Sequence, residues 1–164
     1  RSGRHAKACR RAEKNTPRSW SRARQGLSRL SVRFFPNSEA TPTYQRQGLS
    51  WMQFLREHSL SGVLADDMGL GKTVQTLAHI LTEKEACRLD RPALIVVPTT
   101  LMHNWREEAQ RFTPELRVLD LHGPQRHERF DQIRKYDVIL TTYPLLWRDQ
   151  SALAEHGVVS ENGK

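Results

Sequence analysis

Apolar residues along this chain alternate between two spacings, and the alternation predicts its elements. From Pro42 onward, Leu49, Trp51, Met52, Phe54 and Leu55 recur at helical intervals with Gln and Arg between them, which predicts a helix in "TPTYQRQGLSWMQFLREH". "SGVLADD" then reads as a short strand from Gly62 to Ala65. "GKTVQTLAHILTEKEA" returns to the helical period, with Val74, Leu77, Ala78 and Leu81 on one side. "RPALIVVPT" is a continuous apolar run, the pattern of a strand covered on both faces in a parallel sheet. "LMHNWREEAQRF" predicts an amphipathic helix whose Trp105 docks on that sheet. The strand "RVLDLHG", a charged helix near Gln125–Arg134, the strand "YDVILTTY" and a helix from Leu145 to Glu155 complete the series. Strands and helices alternate, with connections suited to βαβ crossovers. The predicted fold is therefore a doubly wound α/β domain, a mostly parallel sheet flanked by helices, with ligands at the carboxyl ends of its strands.

The ends of the chain break this pattern. Residues 1–36 are rich in Arg and Ser, and no apolar period runs through the first twenty-five. Residues 1–41 are expected to be a basic tail or upstream linker, 42–155 the folded lobe, and 156–164 a polar terminus with no partner element. The net charge of +8 changes little once it is located. Residues 1–33 carry eleven Lys/Arg against the single acid Glu13, whereas residues 34–164 carry fifteen against seventeen Asp/Glu. The basic character belongs to the tail, which could neutralise nucleic-acid phosphates without implying anything about the domain surface. Cys9 and Cys87 form neither metal-ligand spacing nor a disulfide framework. With no apolar run long enough for a membrane span, the expected setting is the bacterial cytoplasm or nucleoid, or the nucleus in a eukaryote.

The chemistry concentrates in "VLADDMGLGKTVQTLA", residues 63–78. A glycine-rich loop follows a predicted strand and ends in Gly-Lys-Thr where a helix begins, which is the context of a phosphate loop. Gly69 and Gly71 allow backbone angles and close approaches that a Cβ would block. Successive backbone N–H groups of Asp66, Met68, Gly69, Leu70 and Gly71 can then converge on phosphate oxygens, helped by the free N–H groups of the new helix. Lys72 supplies a mobile cation for the β- and γ-phosphates, and the Thr73 hydroxyl a ligand for Mg2+. The alternative is a tight turn followed by an ordinary surface lysine. A lysine in the first helical turn conflicts with the macrodipole unless an anion sits there, which favours phosphate. Asp66 stands where the general G-x-x-x-x-G-K-[ST] pattern has glycine.

"LADDMGLGKTVQTLA" resembles the first motif of the SNF2-like ATPases of helicase superfamily 2, which usually reads D-E-M-G-L-G-K-T. Asp66 is the residue that family places there, and Asp67 replaces its usual glutamate. "YQRQGLSWM" resembles the family's opening segment, which implies that Gln45 recognises adenine. "LIVVPTTLMHNWREEAQRF", "HG" at 122–123 and "DVILTTY" resemble later blocks of the first RecA-like lobe, with Thr100 where serine is common. The resemblance spans about residues 42–155. It implies a partial RecA-like P-loop domain, binding of ATP or ADP with Mg2+, and, in the parent protein, ATP hydrolysis coupled to movement along double-stranded DNA. It places Lys72 and Thr73 in the catalytic machinery, and Pro98, Thr99, Thr100, Thr141 and Thr142 on DNA phosphates. Taken without the resemblance, Thr141 and Thr142 read equally as a capped strand end.

The family's D-E-x-[HQ] acidic pair, which holds magnesium and orients water, does not occur in this sequence. Asp66 and Asp67 precede the phosphate loop and cannot take that role. The fragment is thus expected to bind nucleotide without efficient hydrolysis, and to expose a sheet edge capable of self-association. A non-enzymatic adaptor or regulator that keeps a P-loop fold is the alternative; a small P-loop kinase leaves "PTTLMHNW" and "ILTTY" unexplained.

Overall fold

The computed structural model describes residues 43–159, except the side chains of Thr43 and Arg46. They fall into two units divided between Arg88 and Leu89. The basic tail and residues 160–164 lie outside the described residues, so the reading of both remains an expectation.

The first unit contains helices α1 (Thr43–Glu57) and α2 (Lys72–Glu85), which pack on each other. In α2 the predicted stripe holds: Leu77, Ala78 and Leu81 are buried with Ile80, and Val74 is half-buried. In α1 the buried positions are Leu49 and Gln53, one turn apart, while Trp51 and Phe54 of the predicted apolar face are exposed. The strand expected at Gly62–Ala65 is absent. A strand exists only through a hydrogen-bonded neighbour, and among the described residues none pairs with this segment, which leaves Val63 82% exposed.

The second unit is built on a parallel three-stranded sheet of β1 (Ala93–Val96), β2 (Val118–Asp120) and β3 (Val138–Thr141). The order is β1-β3-β2, so the last strand in sequence is the middle one. All four β3 residues are buried, as its unbroken apolar run demands, whereas β1 is mostly half-buried. Helix α3 (Thr99–Phe112) connects β1 to β2 and packs beside β2.

Between β2 and β3 the expected charged α-helix is instead a 3₁₀ segment, Pro124–Lys135. Its few apolar positions explain the difference: Phe130 and Ile133 lie three residues apart, the spacing that a three-residue turn places on one side. Both join the core of Leu119, Leu121, Ile139 and Leu153. The helix expected from Leu145 to Glu155 is two, α4 (Tyr143–Arg148) and α5 (Gln150–Glu155), broken at the buried Asp149. Val158 and Val159, read as part of a partnerless terminus, pack against the same core. No helix among the described residues is long and apolar enough to cross a membrane.

Candidate phosphate-loop site

The loop before α2 closes on itself through its lysine. Lys72 Nζ donates to the carbonyl oxygens of Asp66 and Asp67, each at 2.7 Å. Leu70 N donates to Asp67 O at 3.5 Å, which tightens the turn. Gly69 and Gly71 have φ of 85° and 76°, the left-handed region that glycine enters without steric cost. A Cβ on Gly69 would meet nothing, so that stretch of backbone is open to an approaching group. Met68, 96% exposed, contributes backbone rather than packing.

Gly71 is also the cap of α2, and no side chain bonds to the helix start. Gln75 N, which donates to Gly71 O at 2.9 Å, is the first N–H of the helical ladder. The amides of Lys72, Thr73 and Val74 precede it, at the positive end of the helix dipole. This donor set fits phosphate: an open glycine backbone, unladdered N–H groups, and an ammonium that already sits on two acceptors. Neutral carbonyls are weaker acceptors for a cation than phosphate oxygens, so phosphate can take the lysine over. Thr73, half-buried in the first turn, is placed where the sequence put it, beside Lys72.

Gln45 comes to this loop from α1. Its Nε2 donates to Leu70 O at 3.3 Å and lies 2.9 Å from where a Cβ on Gly71 would stand. The loop therefore favours glycine at 71 for its φ, and a side chain there would displace the Gln45 amide. Gln45, Asp66, Leu70, Gly71 and Lys72 are thus brought together. Gln75 was not predicted, yet it is buried and its Nε2 donates both to Asp66 Oδ2 at 3.1 Å and to Leu70 O at 3.3 Å. Its signal in the sequence was a polar residue inside the apolar stripe of α2, between Val74 and Ala78.

A second polar group joins α1 to α2 away from the loop. Arg88 donates to both carboxylate oxygens of Glu83, at 2.9 and 2.6 Å, and to Gln53 Oε1 at 3.0 Å. Gln53 Nε2 lies 2.8 Å from His79 Nδ1, and Arg56 stands 3.7 Å from Glu83. Since Gln53 spends its carbonyl on Arg88, it offers His79 an N–H, which requires an unprotonated Nδ1. Burial, helped by Arg88 and Arg56 and opposed by Glu83, lowers the His79 pKa below its ordinary 6.5. Burial pushes the Glu83 carboxyl up, but the bonds and charge of Arg88, with Gln53 and His79, outweigh it and leave the pKa below 4.5.

Both shifts have the same consequence for stability. Above pH 6.5 the imidazole is neutral folded or unfolded; as pH falls, the unfolded chain takes up the proton first, so folding weakens through the lowered folded value. Glu83 contributes stability above 4.5 that is lost as pH falls through its own lowered value. Urea unfolding at pH 7.5 and 5.5 is expected to show a lower midpoint at 5.5, with the difference reduced in His79→Gln. An unchanged difference in that variant would assign the effect elsewhere.

In the second unit, the predicted DNA-facing residues gather at the carboxyl edge of the sheet. Val96 pairs with Thr141, and Val97 N donates to Thr141 O at 3.0 Å, so the Pro98–Thr100 and Thr141–Thr142 blocks are neighbours. Pro98 caps α3, and Pro98, Thr99 and Thr100 are exposed. Thr141 and Thr142 are buried, at 1% and 3% exposure. The Thr141 hydroxyl turns inward toward Leu121 O, 3.5 Å away. Thr142 begins α4 through its backbone, accepting from Leu145 and Leu146, with no side-chain cap. The side chains of Thr141, at the end of the central strand, and of Thr142, at the start of α4, are thus buried, whereas those of the Pro98–Thr100 block are exposed.

The sequence pattern of the SNF2-related domain matches residues 44–161. Among curated proteins, the chain is 44% identical over 114 residues to a putative ATP-dependent helicase/translocase, YwqA, of Bacillus subtilis; the match covers 68% of this chain and 12% of that protein. It is 40% identical over 125 residues to the ISWI chromatin-remodeling complex ATPase ISW2 of Saccharomyces cerevisiae, covering 73% of this chain and 11% of the relative. The Sulfolobus solfataricus SWI2/SNF2 ATPase core in complex with double-stranded DNA superposes with a TM-score of 0.62 at 40% identity. That match covers 70% of this chain and 24% of the solved one. The chain spans about a tenth of the length of these curated relatives.

Proposed function

Because this chain belongs to the SNF2-related domain family, we propose that it binds ATP with Mg2+ through residues 66–73 and is the nucleotide-binding part of a DNA-dependent ATPase that moves along double-stranded DNA. The observation that carries the reading is the arrangement of Lys72 on the Asp66 and Asp67 carbonyls at the uncapped start of α2. Lys72 and the first amides of α2 bind and orient the β- and γ-phosphates, and Gln45 faces the base. Thr73 is the residue here that would hold magnesium, which would supply positive charge to offset that of the triphosphate. In the second unit, Pro98, Thr99 and Thr100 offer exposed polar groups and the start of α3 to DNA phosphates, contacts that position a protein without reading sequence. The sequence holds no D-E-x-[HQ] pair to orient water, so slight turnover by this chain is part of the proposal.

Calorimetric titration with Mg-ATP and with Mg-tripolyphosphate tests the reading. Saturable binding of both is expected, with ATP the tighter. Gln45→Ala should narrow the preference for ATP about tenfold, the scale of one or two lost hydrogen bonds. A folded chain that takes up neither ligand would overturn the proposal.

A further inference from the structure

The side chain of Gln75 reaches between the two ends of the phosphate loop. Its NH2 group donates to the Asp66 carboxylate, where the loop begins, and to the Leu70 carbonyl, just before it enters α2. Its Oε1 is buried and has no hydrogen-bond partner among the described residues. Such an acceptor costs free energy wherever it is left unpaired. The amide cannot turn over to relieve this, because Oε1 would then face the Asp66 carboxylate and the Leu70 carbonyl, acceptor against acceptor. The orientation is therefore dictated by the loop. The surroundings accommodate it: Oε1 lies against Gly48 of α1, where a Cβ would stand only 2.1 Å away. Leu70 O accepts from Gln45 as well as from Gln75, both at 3.3 Å.

We propose that Gln75 is a positioning residue that holds the phosphate loop open by clasping Asp66 and Leu70, with Gly48 leaving room for its amide. The clasp gives Asp66 a role that glycine at that position could not supply, since glycine has no carboxylate to accept the bond. It also assigns Leu70 O two amide partners of different duty. When Gln45 turns to a base, Gln75 still holds the loop at both ends. The inference rests on the nucleotide reading above, and extends it from residues that meet the ligand to one that shapes their backbone.

Amide hydrogen exchange of the full chain without ligand, followed by titration with Mg-tripolyphosphate, tests it. Gln75→Met, which keeps bulk but loses both donors, is expected to accelerate exchange at residues 66–71 while the later turns of α2 stay protected. Asp66→Ala removes the opposite end of the clasp without disturbing a buried side chain, and should produce the same local acceleration. Each should weaken tripolyphosphate binding about tenfold. Unchanged exchange at 66–71 in Asp66→Ala, or acceleration spread evenly over the first unit in both variants, would overturn the clasp. So would undiminished affinity in variants of a chain that itself binds tripolyphosphate, which would leave the nucleotide reading intact. If the unaltered chain binds neither tripolyphosphate nor ATP, the nucleotide reading fails first and the clasp's role falls with it.

Discussion

Lys72→Ala is expected to weaken Mg-ATP binding by about a hundredfold or more, while leaving the chain folded. A hydrogen bond from a charged group is worth roughly 1.5–3 kcal/mol, and the ammonium can serve two phosphates at once. Lys72 is the only basic residue within residues 66–73. Stability should change by less than about 1 kcal/mol. The alanine loses two bonds to loop carbonyls that water can replace, and removes a positive charge from the helix end least suited to it. Titration calorimetry and the circular-dichroism melt decide the matter together. Affinity within a few-fold of the unaltered chain would mean that Lys72 belongs to the turn and not to a ligand.

The second large effect concerns stability of the other unit. Arg126 holds Asp149 through Nε at 2.7 Å and Nη2 at 3.0 Å, and Asp149 is buried where α4 ends and α5 begins. The bond to Asp149 raises the Arg126 pKa further, against the opposing effect of burial. Arg126→Ala strands a carboxylate in the interior and is expected to cost about 3 kcal/mol or more, a large part of the margin of a small domain. The double variant Arg126→Met with Asp149→Leu removes both charges and should recover most of that loss. Urea midpoints of the single and double variants give the comparison. Equal losses would show that the segment depends on packing around Arg126 and not on the pair.

Where the sequence was legible, one local rule governed the outcome. The stripe of α2, the apolar runs of β1 and β3 and the Gly-Lys-Thr junction each follow from periodicity or glycine chemistry within a dozen residues. Where it was not, a distant partner decided. Gln53 is polar and lies outside the apolar stripe read for α1, yet it is buried, with His79 and Arg88 as its partners. Residues 62–65 have strand composition but no neighbour to pair with among the described residues. Thr141 and Thr142 have hydroxyls that suit phosphate, but their strand became the middle one and drew them inside. Of the loop, residues 66–73 could be read directly, whereas Gln75 could not. Its role depends on the Asp66 side chain and the space at Gly48, neither visible as spacing.

The strand order has a consequence for how the chain comes off the ribosome. Among the described residues β1 and β2 each pair only with β3, and Ala93 finds its partner at Val138, 45 positions later. At about 5–20 residues per second, β1 leaves the peptidyl-transferase centre roughly two to nine seconds before the strand it needs has been made. Through that interval "ALIV" has no ladder to join, and "VLD", once made, waits with it. Among the described residues, both outer strands gain their ladder only when β3 has been made. A slowed codon or a nascent-chain binder acting between residues 121 and 137 would lengthen the exposure of both outer strands.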